Sequence, residues 1–101
     1  MFQEMMPMSQ GGGGVQYGTH ESKSIAASGS YQITLDHEPL SCFVLYNNYY
    51  FKFAMKQEDG TYMGWYYPHT SGYENIFTIN ENVITVNNIH SSAITFDIYY
   101  M

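Results

Sequence analysis

Three consecutive segments decide the fold class: YYFKFAMK (Tyr49–Lys56), QEDG (Gln57–Gly60) and TYMGWYY (Thr61–Tyr67). The first alternates between a face of Tyr49, Phe51, Phe53 and Met55 and a polar face of Tyr50, Lys52, Ala54 and Lys56. A period of two puts alternate side chains on opposite faces of a strand. The Asp59-Gly60 dipeptide is a strong hairpin signal, so the first and third segments are expected to be antiparallel neighbours.

The same period extends in both directions. Upstream, KSIAA (Lys23–Ala27) reads as a weak first strand, closed by the turn signal Ser28-Gly29. In YQITLD, Tyr31, Ile33 and Leu35 face one way. Pro39 breaks the pattern because it lacks a backbone N–H. Leu40 to Tyr46 is apolar on both faces and reads as a central strand covered on both sides. Asn47-Asn48 reads as a tight turn, since Asn tolerates positive φ. Downstream, strands are expected over Asn75–Ile79 and Val83–Val86, with a turn at Asn80–Asn82. A closing strand follows in which Ile94, Phe96, Ile98 and Tyr100 share a face. The expected fold is all-β: an antiparallel, jelly-roll-like β-sandwich of seven or eight short strands with minimal helix.

The first residues, MFQEMMPMSQGGGGVQYGTH, have no sustained period. Residues 1–21 therefore read as a Met/Gly-rich docking arm and residues 22–101 as the β-sandwich domain. Met1, Phe2, Met5, Met6 and Met8 are the apolar side chains such an arm would bury. A glycine-rich segment is costly to order, so the arm is expected to need a partner, for example one that accepts an added strand. An arm joined to a β-domain is a design for attachment, in assembly or adhesion.

Composition limits the function. The chain has 101 residues, with eleven Tyr, six Phe and one Trp, and nine acidic residues against three basic ones give a net charge of −6. That charge repels phosphate backbones and anionic headgroups, so neither nucleic acid nor membrane is an expected partner. A basic, apolar leader and a membrane-length apolar run are also lacking, and synthesis in a cytoplasm is expected. A domain this small has a thin core, which aromatic side chains and subunit contacts would both support.

No reaction is legible. Cys42 lies in LSCFVLY and reads as a buried small hydrophobe rather than a nucleophile. His20, His37, His69 and His90 are isolated, each in or beside a predicted loop, with no zinc or calcium spacing. The expectation is a non-enzyme with no catalytic residue, no metal and no cofactor. The most function-like stretch is Trp65-Tyr66-Tyr67-Pro68-His69, where Trp65 and Tyr67 share one strand face and Tyr66 takes the other. These three rings are candidates for a glycan or subunit contact.

The run GSYQITL (Gly29–Leu35), then Pro39, then an apolar strand ending in Tyr46-Asn47-Asn48, resembles a β-domain of small virion proteins and fibre tips of tailed bacteriophages. The closing ITFDIYYM (Ile94–Met101) and the Met- and Gly-rich start resemble the same proteins, and the resemblance covers residues 23–101. It implies a structural role in a virus particle, as capsid decoration, head fibre or tail component, made in the host cytoplasm and located in the virion. The implied partners are capsid or tail proteins, further copies of the chain in a homo-oligomer such as a trimer, and a host surface glycan. It transfers no catalytic residue. The competing expectation is a carbohydrate-binding adhesion module using the surface aromatics.

Overall fold

The structure is a computed structural model and describes residues 18–101. The arm residues Met1, Phe2, Met5, Met6 and Met8 lie outside the described residues. The strands are β1 (Thr19–Ile25), β2 (Ser30–Thr34), β3 (Ser41–Tyr46), β4 (Tyr50–Lys56), β5 (Tyr62–Tyr67), β6 (Phe77–Asn80), β7 (Val83–Asn87) and β8 (Ile94–Tyr100). They form two antiparallel sheets in the orders β1-β8-β3-β4-β5 and β2-β7-β6. This is the sandwich-like all-β fold expected. The nested pairs β1 with β8 and β2 with β7 are its jelly-roll-like part, while β4 and β5 extend the larger sheet.

The apolar alternation of β2, β7 and β8 places Ile33, Ile84, Val86, Phe96 and Ile98 in the core, with Val44, Tyr46 and Phe77. One half-buried face per strand is what a two-layer sandwich requires. Two elements begin elsewhere than expected. Strand β1 starts at Thr19, so Thr19, His20 and Glu21 belong to the sheet rather than to the arm. Residues Tyr73–Ile76 form a 3-10 turn, and strand β6 starts only at Phe77.

A larger correction concerns β4. Asn47 and Asn48 do take positive φ, 55° and 53°, and the Tyr49 amide donates to the Tyr46 carbonyl at 3.3 Å. Tyr46, however, pairs with Tyr50 and not with Tyr49. The additional loop residue changes the parity of the strand, and a one-residue shift exchanges its two faces. Tyr50, Lys52 and Ala54 consequently face the second sheet, and Phe51, Phe53 and Met55 face away from it.

Strand β5 follows this inversion through the Gln57–Gly60 turn. The Gly60 amide donates to the Gln57 carbonyl at 3.0 Å, Gly60 adopts φ 89°, and Lys56 pairs with Tyr62. A residue in the left-handed region after a tight turn suits Gly. Strand β3 is also corrected: it is central, but only Cys42, Val44 and Tyr46 are buried, and Phe43 and Leu45 are half-buried on the face away from the core.

Two polar anchors tie the sheets together. The Lys52 ammonium reaches inward and donates to the carbonyls of Glu74 at 2.6 Å and Phe77 at 2.7 Å. Buried Asn88 donates through Nδ2 to the carbonyls of Ile25, Ala26 and Ser92, and its Oδ1 accepts from the His90 amide.

Candidate functional site

The inverted strands create a surface. Across the outer face of the larger sheet, Tyr99 stands beside His20 on β1 and Phe43 on β3. Phe43 stands beside Phe53 on β4, and Phe53 beside Trp65 on β5. One ring per strand thus crosses all five strands. The adjacent row runs Asp97, Leu45, Phe51 and Tyr67, and a shorter one Ser41, Met55 and Met63. The smaller sheet packs on the opposite side, and among the described residues nothing covers this face. Tyr49, Met55, Met63, Trp65, Tyr67 and Tyr99 are each between 40% and 53% exposed.

The rings support one another. Phe43 lies 5.9 Å from Tyr99 and 6.0 Å from Phe51, and Phe51 stacks on Tyr67 at 6.2 Å. Tyr49 meets Tyr67 edge-on at 5.2 Å, with the two hydroxyl oxygens 3.1 Å apart. Such aromatic pairs add about 0.5–1.5 kcal/mol beyond burial, which fixes the rings in place although one side is open. At the β1 end, His20 stacks on Tyr99 at 4.4 Å and approaches Asp97 at 3.1 Å. His20 is therefore a strand residue and not a loop residue, as is the case for none of the other three histidines.

The structure brings Trp65 and Tyr67 together on this face and separates them from Tyr66, as the alternation of β5 predicts. Tyr66 points inward and half-buried into a cleft of about 320 Å³ at the free edge of β5, with Tyr62, Lys52, Phe77 and Ile79. His69 folds back over the end of the strand and stacks on both Trp65 and Tyr66, at 4.8 and 4.6 Å.

Phe43, Phe53, Met55, Met63 and Tyr99 were not singled out as contact residues. The signal available in the sequence was the small pair Ala54 and Gly64, which stand opposite each other and face the second sheet.

Cys42 is 1% exposed, and burial pushes its thiol up to about 12, so it carries no thiolate at neutral pH. Tyr46 sends its hydroxyl to within 2.7 Å of His90 Nε2, and burial raises its pKa. Among the described residues no group of three His, Cys, Asp or Glu side chains is placed to hold a metal ion. Among them, too, no helix is long and apolar enough to cross a membrane. Compared with protein-family models, curated proteins and solved structures, the chain finds no match in any of the three.

Proposed function

We propose that this chain is a non-enzymatic structural subunit that attaches to its neighbours in a larger particle through the outer aromatic face of the five-stranded sheet. The observation that carries the reading is the uncovered outer face, on which Tyr49, Met55, Met63, Trp65, Tyr67 and Tyr99 stand half-exposed around the ring row that crosses the sheet. Monomeric proteins rarely expose contiguous apolar patches beyond a few hundred Å². Six half-exposed large side chains, at roughly 150–250 Å² when whole, present roughly 600 Å² here. With their half-buried neighbours they approach the ~800 Å² per partner of a standard interface. Aromatic residues and Met, with few charges, are also the composition of interface cores.

The N-terminal arm joins the domain at Gly18, beside Tyr100 at the end of β8. A virus particle as the assembly is supported by the likeness of the strand pattern to small virion proteins of tailed bacteriophages, whose implied β-sandwich agrees with the fold. Light scattering on the purified full-length chain is expected to give an oligomer. The double variant Trp65→Ser/Tyr67→Ser, with unchanged circular dichroism, is expected to be a monomer. A parent chain that stays monomeric at high concentration, or a folded variant that still associates, would overturn self-attachment through this face.

A carbohydrate contact is the second reading, favoured by the half-exposed Trp65 ring beside the paired hydroxyls of Tyr49 and Tyr67. It requires binding on a glycan array that Trp65→Ala abolishes without loss of fold; a blank array removes it.

A further inference from the structure

Within the outer face lies a groove of about 360 Å³, lined by Phe43, Phe53, Met55 and Tyr99 and, at its rim, by Gly18, the first described residue. Gly18 is set tightly there, since a Cβ at that position would lie 3.1 Å from the Tyr100 carbonyl oxygen. The chain that precedes Gly18 thus enters the domain at the mouth of an apolar groove.

We propose that this groove is the seat of residues 1–17 of the same chain, which cross the outer face and bury Phe2 and the methionines Met1, Met5, Met6 and Met8 against it. Reach is sufficient. Seventeen residues extend to roughly 56 Å at ~3.3 Å each, and five strands ~4.8 Å apart make a sheet only ~19 Å wide. The eight residues MFQEMMPM, at roughly 26 Å when extended, cross it by themselves. Gly11–Gly14 between them and the domain permits the change of direction, because Gly adopts either sign of φ.

The chemistry also matches. Met side chains adapt to irregular apolar surfaces and make favourable sulfur contacts with rings, and the groove supplies Phe43, Phe53 and Tyr99. Within MFQEMMPM, Glu4 is the only charged side chain. The nearest carboxylate on the face, Asp97, lies in the neighbouring row and is engaged by His20. A tether this short gives an effective concentration in the millimolar range, so the chain's own segment outcompetes a free partner at micromolar concentration. The seat takes up Phe43, Phe53 and Tyr99 as well as Met55, and it leaves Phe51, Trp65, Tyr67 and Tyr49 for attachment to neighbours.

The test uses the full-length protein with Phe2 replaced by the photo-crosslinker p-benzoylphenylalanine. Irradiation is expected to give an intramolecular product, with the crosslink mapped by mass spectrometry to Phe43, Phe53, Met55 or Tyr99. Met55→Glu, at an exposed position that leaves the fold unchanged, is expected to reduce the yield at least about tenfold, whereas Tyr67→Ser, which probes attachment, is expected to retain it. Crosslinks to a second chain, crosslinks outside the groove or the absence of any crosslink would each overturn the proposal.

Discussion

The Lys52 ammonium sits 4.6 Å above the Phe77 ring and donates to the Phe77 carbonyl at 2.7 Å. A charge is therefore inside the sandwich while Phe51 and Phe53, its neighbours along β4, are outside. Burial lowers the Lys52 pKa, and the carbonyls of Glu74 and Phe77 hold the charged form in place. Hydrogen bonds to charged groups contribute about 1.5–3 kcal/mol. Lys52→Ala is expected to cost about 2–3 kcal/mol, read as a lower denaturant midpoint at unchanged slope. Lys52→Met, which keeps the stem, is expected to cost less. An unchanged midpoint for Lys52→Ala would mean that Lys52 does not join the sheets.

Gly64 stands opposite Ala54 where β5 leans closely on β4. A Cβ on Gly64 would run into the carbonyl oxygen of Phe53, a backbone atom that cannot rotate away. Gly64→Ala is thus expected to destabilise by about 2–3 kcal/mol, within the 1–3 kcal/mol or more typical of overpacking. The neighbouring substitution Trp65→Ala, on the open face, is expected to cost less than Gly64→Ala. The reverse order in a denaturation experiment would contradict the assignment of inner and outer faces.

These two residues show how much could be read in advance. The alternation of β2 and β8 was legible because each strand has one largely apolar face, and Ile33, Phe96 and Ile98 occupy the core as their spacing requires. The Asp59-Gly60 hairpin was legible because Gly60 meets a conformational demand, φ 89°. Strand β4 was misread because both of its faces carry aromatic residues and the decision fell to the length of a loop. With two residues between Tyr46 and its partner, Phe51 and Phe53 would be core; with Tyr49 added, they are surface. Hydrophobicity alone cannot count loop residues, and the outer aromatic face stayed hidden for that reason. Asn88 was missed for a different one: its partners are the carbonyls of Ile25 and Ala26, more than sixty residues away in the chain.

Asn88 is 2% exposed and closes the β1–β2 turn against the segment before β8. Replacing it by Ala leaves the Ile25, Ala26 and Ser92 carbonyls without this donor. The expected loss is about 3 kcal/mol, since an orphaned buried polar group costs about 1–3 kcal/mol. Asn88→Asp is expected to be worse at neutral pH, because a carboxylate would face three carbonyl oxygens. Thermal unfolding of the two variants, run at pH 7 and again in acid, checks both the size and the order.

Glu21, read from the sequence as the last residue of the arm, holds the edge strand β1 to both sheets. Its carboxylate accepts hydrogen bonds from the Tyr100 hydroxyl on β8 and, at 2.6 Å, from the Tyr31 hydroxyl on β2. Those two bonds, Tyr100 first, hold its pKa below the ordinary 4.5. The unfolded chain therefore binds the proton more readily than the folded one, and stability falls as pH drops from the ordinary range through the folded pKa. Exposed Asp36, Asp59 and Glu74 have lowered values as well, so they keep an acid slope of their own. Glu21→Gln is expected to be less stable than the parent at pH 7, and the two are expected to converge as the pH falls through the lowered folded pKa of Glu21. Stability curves that run parallel from neutral to acid would mean that the ionised Glu21 contributes nothing to the fold.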